Sequence, residues 1–268
     1  MTAVSWIALL TDYGRRDGFV AACHGVIARI APSVRVIDIT HDVPPQDVRH
    51  GAAVLAQTVG YLPPSVIVGV VDPGVGTGRR AVALGAGDHV LVGPDNGLLT
   101  WAADACGGVH RAVELTSPRF HLDTGATTFD GRDVFAPVAA HLAGGLAMTD
   151  LGPELAADDV VRLPDPWVRV QDGRLEAEVH VVDHFGNVAL AARAADLEAA
   201  RLAAADTVQV AVGDRISVVR LARSFAEVAA GELVVLVDSA GHVAVAANRG
   251  DAAAELGLRP GDRVVLSA

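Results

Sequence analysis

Residues 70–80, VVDPGVGTGRR, set the carboxylate of Asp72 at the end of an apolar run and the guanidinium of Arg79 a short turn later. Pro73 holds Asp72 extended and ends the strand there. Gly74, Gly76 and Gly78 allow backbone conformations and close approaches that side chains would block, so a ligand can lie against the turn. The plainer alternative is an ordinary turn with a solvated acid and two surface arginines. Asp12 ends another apolar run in LLTDYG, and Asp95 and Asn96 follow a third in GPDNG. A carboxylate can accept hydrogen bonds from two vicinal hydroxyls, which suits Asp12 to a ribose; an Asx turn is the competing role.

Other chemistries find less support. The ten histidines form no HxH or HExxH pattern, and the two cysteines, Cys23 and Cys106, form no CxxC. A metal centre built from Asp12, Asp72 and Asp130 is an alternative, but no catalytic metal is expected. His41 in DITHDVPP reads as a loop histidine bonding backbone. GVGTG lacks the following Lys-Ser/Thr of a phosphate loop, and there is no GxSxG.

The elements that must position these residues alternate in the first half. WIALL, VRVIDIT, VIVGVV, RAVAL and HVLVG read as strands, with helices such as GFVAACHGVIARIA and DVRHGAAVLAQTVGYL between some of them. That rhythm predicts a mostly parallel sheet covered by helices, with ligand loops at the carboxyl ends of its strands. After Gly152 a proline-containing stretch reads as a linker. LEAEVHVVD, TVQVAVG, ISVVRL, LVVLVD, HVAVAA and RVVLS then predict a smaller β-barrel or β-sandwich, with one short inserted helix over 191–206. The expected division is 1–165 and 166–268.

With 268 residues, 51% of them hydrophobic, the chain can bury a sizeable core. A net charge of -11 argues against nucleic acid as partner. The amino terminus carries no basic leader, no apolar run approaches a membrane span, and two cysteines suit a reducing compartment; a cytoplasmic protein with no membrane partner is expected.

The segments LLTDYGRRDGFVAACHGVI, DITHDVPPQDVRHGA, VVDPGVGTGRR, VGPDNGLLT, TTFDGRDVFAP, VDHFGN and ANRGDAA together resemble the S-adenosyl-L-methionine (SAM) hydrolase family, also called SAM hydroxide adenosyltransferases, relatives of the fluorinase and chlorinase. The resemblance runs in order over nearly the whole chain. It implies an α/β amino-terminal domain, a β-rich carboxy-terminal domain, and a homotrimer with active sites between neighbouring subunits. The implied reaction is attack of water on ribose C5′ with release of adenosine and L-methionine, without a cofactor.

An Asp, Arg and His set surrounds the water in that family. Asp72 and Arg79 match its first two members, which makes Asp72 the proton acceptor and Arg79 the cation that helps fix the water. This chain has Asp130 where the histidine is usual, so Asp130 enters the expected catalytic set as proton acceptor or water orienter. The alternative is a weakly catalytic SAM- or adenosine-binding protein. Halogenation is disfavoured because the anionic Asp72 would repel a halide.

The resemblance also implies substrate contacts: Asp12 on the ribose hydroxyls, Asp183 on the methionine ammonium and Ser239 near the methionine carboxylate. Phe185, Asn187, Asn248 and Arg249 fall in the adenine pocket, and Gln46 and Thr77 complete the set. Ala240 stands where the fluorinase has an arginine, so the carboxylate needs another partner.

Overall fold

The structure is a computed structural model that describes residues 4–268. The chain divides into two compact units, Met1–Leu163 and Pro164–Ala268. Among the described residues, no helix is long and apolar enough to cross a membrane.

The first unit runs β1 (Trp6–Thr11), α1 (Phe19–Ile30), β2 (Arg35–Thr40), α2 (Val48–Thr58), β3 (Val66–Val70), β4 (Ala81–Ala86), β5 (His89–Pro94), α3 (Thr100–Ala105), β6 (Arg111–Glu114), α4 (Ala136–Ala143) and β7 (Glu154–Leu155). Its sheet has the order β2-β1-β3-β5-β4-β6-β7. The pairs β1–β2, β1–β3 and β3–β5 are parallel, whereas β4 runs against both β5 and β6. The sheet is therefore mostly parallel, with β4 and the short β7 reversed.

RAVAL and HVLVG have no helix between them, and the physical result is the antiparallel β4–β5 pair. Its register sets Ala81 opposite Pro94. Arg79 and Arg80, at the start of β4, consequently stand at the edge where β1, β3 and β5 end. Strand alternation supplies apolar side chains to both faces. Ile7 and Leu9 join the core containing α1 and α4, while Leu10 and Leu98 approach Gly51 of α2 on the other face.

The stretch after Gly152, read from the sequence as a linker, is tied to this unit up to Leu163. Glu154 and Leu155 pair with β6, the Val161 amide donates to Asp95 at 2.8 Å, and Arg162 bridges to Gly97.

The second unit comprises β8 (Val168–Gln171), β9 (Arg174–Val182), β10 (Val188–Arg193), α5 (Ala194–Ala199), β11 (Thr207–Val212), β12 (Arg215–Leu221), β13 (Leu233–Val237), β14 (His242–Ala247), α6 (Ala252–Leu256) and β15 (Arg263–Ser267). Strands β10-β14-β13-β12-β11-β15-β9 close through the β9–β10 pairing into a barrel of seven strands, with β8 added on β9. Closure decides between the predicted barrel and sandwich in favour of the barrel. It also removes the free edges that an open sheet would present. Val179, Leu190, Val245 and Leu266 are among its buried core residues. The helix expected over 191–206 is confined to six residues, starting where the Asp196 carboxylate accepts the Arg193 amide at 2.7 Å.

Candidate active site

Asp72 follows β3 and Arg79 precedes β4, so two neighbouring chain ends converge. Arg79 Nε lies 3.0 Å from each Asp72 carboxylate oxygen, and Arg79 NH2 donates to both Asp72 and Asp130. One guanidinium thus joins two carboxylates, and it lies 5.3 Å from the Phe135 ring centroid. The three side chains are 6%, 13% and 23% exposed for Asp72, Arg79 and Asp130, so the charges are shielded but reachable. Burial opposes the Arg79 charge; hydrogen bonding from Asp72 and the charges of Asp72 and Asp130 outweigh it and hold the guanidinium pKa above its ordinary value.

Asp12, Tyr13, Asp72, Val75, Phe129 and Asp130 are among the residues around a cavity of about 50 Å³. A single water needs about 10–15 Å³ of such space. The cavity therefore has room for water beside the two carboxylates. Two larger cavities, of about 620 and 570 Å³, contain none of the predicted site residues.

The surroundings explain why this geometry forms. Asn96 donates from its side-chain amide to the Val71 carbonyl at 2.9 Å, which pins the strand end carrying Asp72. Arg80 turns away to Asp95, whose carboxylate also holds the Val161 amide. The adjacent arginines accordingly have separate tasks, one joining the two carboxylates that border the cavity and one in the frame.

Asp130 precedes a single π turn, Gly131–Phe135, that continues into α4. A Cβ on Gly131 would lie 2.0 Å from the Tyr13 hydroxyl, so only glycine permits this approach. Burial first, then Cys23 and the carboxylates of Asp12, Asp72 and Asp130, raise the Tyr13 pKa and keep its phenol neutral. Of the three glycines in the opening turn, Gly76 alone has positive φ, at 77°; nothing approaches the position of a Cβ on Gly78.

Asp12 accepts the Gln46 amide at 2.9 Å. Gln46 adopts φ 67°, unusual for a residue with a Cβ, directly before the Asp47 cap of α2. Thr77 donates its hydroxyl to the Gly74 carbonyl at 2.6 Å, which places it in the turn's own bonding. His41 differs from the expectation of backbone bonding by its ring: Nδ1 pairs with Thr11 Oγ1 at 2.9 Å, and the side chain is buried.

Within the barrel unit, Asp183 organises its own turn. It accepts the Phe185 and Asn187 amides at 2.8 and 2.9 Å and the Asn187 side chain at 2.7 Å. Phe185 is 73% exposed, leaving an aromatic face available for stacking. Asn248 donates its side-chain amide to Val228, and Arg249 takes φ 58° in the next position. Exposed Ser239 belongs to the turn organised by Asp238, which accepts the Ala240 and His242 amides. Arg193 also reaches this turn and donates to the Ala240 carbonyl at 2.6 Å.

The family description "SAM hydroxide adenosyltransferase N-terminal domain" matches residues 7–152, and the corresponding C-terminal domain matches residues 177–265. The chain belongs to the SAM hydroxide adenosyltransferase family. A relative from Salinispora tropica named (R)-S-adenosyl-L-methionine hydrolase is 56% identical over 268 residues, covering 100% of both chains. A solved structure of a conserved Thermotoga maritima protein has TM-score 0.90 and 36% identity, covering 98% of this chain and 100% of that one. A fluorinase from an Actinoplanes species is 28% identical, covering 97% of each chain.

Within this SAM hydroxide adenosyltransferase chain, two residues that act on predicted positions carry no sequence signal: Arg193, bonded to the Ala240 carbonyl, and His121, under the influence of the Asp130 charge. The first is hidden by its distance from Ala240 in sequence. Burial lowers the His121 pKa against the pull of the Asp130 carboxylate, a relation with no local sequence motif.

Proposed function

We propose that the protein hydrolyses (R)-S-adenosyl-L-methionine to adenosine and L-methionine. The observation that carries this reading is the pair of carboxylates, Asp72 and Asp130, that share Arg79 and border a cavity able to admit water. Water oxygen forms a bond to ribose C5′ as the C5′–S bond breaks, and the bond's electron pair neutralises the sulfonium to a thioether. A carboxylate receives the water proton and releases it to solvent; Asp72 is assigned this role. Arg79 fixes Asp72 through two guanidinium nitrogens, and Asp130 orients the water from the second carboxylate position. Orientation supplies much of the rate when a weak nucleophile must meet carbon in line with its leaving group.

Asp12 is assigned to the ribose hydroxyls, with Gln46 and Thr77 completing the contacts of the first unit. In the barrel unit, Asp183 is assigned to the methionine ammonium, and Phe185, Asn187, Asn248 and Arg249 to adenine. Ser239 recognises the methionine carboxylate, with Arg193 supplying the positive charge that Ala240 lacks. A cytoplasmic homotrimer with sites between neighbouring subunits accompanies this reading. No nucleic-acid or membrane partner is invoked.

Incubation with the substrate and chromatography of products test the activity. Equal release of adenosine and methionine is expected, whether or not a chelator is present; binding without either product would reject hydrolysis. Light scattering tests the trimer. At substrate concentrations well below the parent KM, mixed Asp72→Asn and Asp183→Ala subunits should exceed the activity of either variant alone after exchange, and no gain after demonstrated exchange would reject shared sites.

A further inference from the structure

We propose that His24, Asp38 and His41 form a binding site for a divalent transition-metal ion of the zinc class, distinct from the water-activating set. His24 comes from α1, Asp38 from β2 and His41 from the residue after β2. Their potential ligand atoms all lie within 4.8 Å of one another. His24 Nε2 is 2.8 Å and His41 Nε2 is 3.0 Å from the same oxygen, Asp38 Oδ1.

The His41 contact distinguishes this cluster from a simple pair of imidazole–carboxylate hydrogen bonds. Its ring is 3% exposed, and Nδ1 is occupied by the Thr11 hydroxyl. Nε2 is buried and within ion-pair distance of Asp38, yet it makes no directed hydrogen bond. The buried nitrogen therefore faces the cluster without a fully satisfied partner. With Nδ1 as donor to Thr11, Nε2 presents a lone pair suitable for a metal.

Two imidazoles and one carboxylate suit zinc and related first-row ions, with water completing the coordination. Ligand bonds of about 2.0–2.2 Å would need only a modest outward adjustment of the Asp38 oxygen. His24 and Asp38 have side chains 35% and 40% exposed, so an ion has access from solvent. Binding would join α1 to β2 and, through His41 and Thr11, brace the strand end that carries Asp12. The assignment is structural and adds no metal step to hydrolysis.

Metal-free whole protein titrated with zinc chloride should take up one equivalent at micromolar concentration, read by calorimetry and native mass spectrometry. Cobalt chloride should produce a visible ligand-field band that zinc displaces. His24→Gln and Asp38→Asn should each weaken uptake by about tenfold or more and abolish the zinc-induced rise in thermal midpoint. Circular dichroism without metal checks that both variants are folded. Failure of the parent to bind one zinc, or undiminished uptake by either folded variant, would overturn the site.

Discussion

Asp183 in the barrel accepts hydrogen bonds from Phe185 and Asn187, two and four positions away, whereas Asp72 and Asp130 in the first unit meet at an arginine 7 and 51 positions from them. A local turn can assemble the former arrangement with little help from the rest of the domain. The latter exists only after β3, β4 and the segment before α4 are packed. Recognition by a short turn and activation by distant segments therefore place different demands on folding. The first tolerates independent local order; the second requires the sheet to align its edge.

Removing a carboxylate from the long-range arrangement should have the largest effect. Asp72→Asn is expected to reduce turnover by about 10²–10⁴-fold without comparable loss of substrate binding, as measured by single-turnover kinetics and calorimetry. Parent-like turnover would remove Asp72 from the proton-accepting role. Asp130→Asn should lower turnover by roughly tenfold, because Asp72 and Arg79 retain the principal pair while water loses its second carboxylate. A loss equal to that of Asp72→Asn would make the two carboxylates equal participants.

The local turn should fail differently. Asp183→Ala is expected to raise KM by roughly tenfold with a smaller change in kcat, through loss of a charged contact and of turn order. A selective fall in kcat would shift its role toward chemistry. The smallest effect concerns both units. Burial lowers the pKa of His50, His89 and His121 in the first unit and of His242 in the barrel. Both states leave these rings neutral above the ordinary histidine value of about 6.5. As pH falls below it, the unfolded chain takes up protons first, so folded stability declines through the lowered folded-state values. Calorimetry from pH 8 to pH 5 should show a fall of roughly a few degrees in thermal midpoint; a rise on acidification would contradict this linkage.

The sequence made the ends of β1 and β3 legible because Asp12 and Asp72 interrupt apolar runs. It also exposed the barrel's succession of short strands. Strand direction was less accessible: the missing helix before HVLVG becomes meaningful only when β4 pairs backwards with β5. The adjacent Arg79 and Arg80 have the same side-chain chemistry, and their division between Asp72 and Asp95 depends on tertiary neighbours. His24, Asp38 and His41 likewise have no familiar ligand spacing; a helix and a strand bring them together. Residue periodicity describes faces and ends, but these associations require the chain to cross between them.

Gln46 carries a further consequence. Its left-handed backbone could be occupied more comfortably by glycine, which would keep the backbone amide that meets Asp12 but would lose the side chain proposed as a substrate contact. This position therefore marks a trade-off for protein engineering: easing the chain's geometry would discard the very side chain available for molecular recognition. A search for a hardier variant that rewarded heat resistance alone would favour the exchange, whereas a search that also demanded turnover would expose what the strained residue contributes.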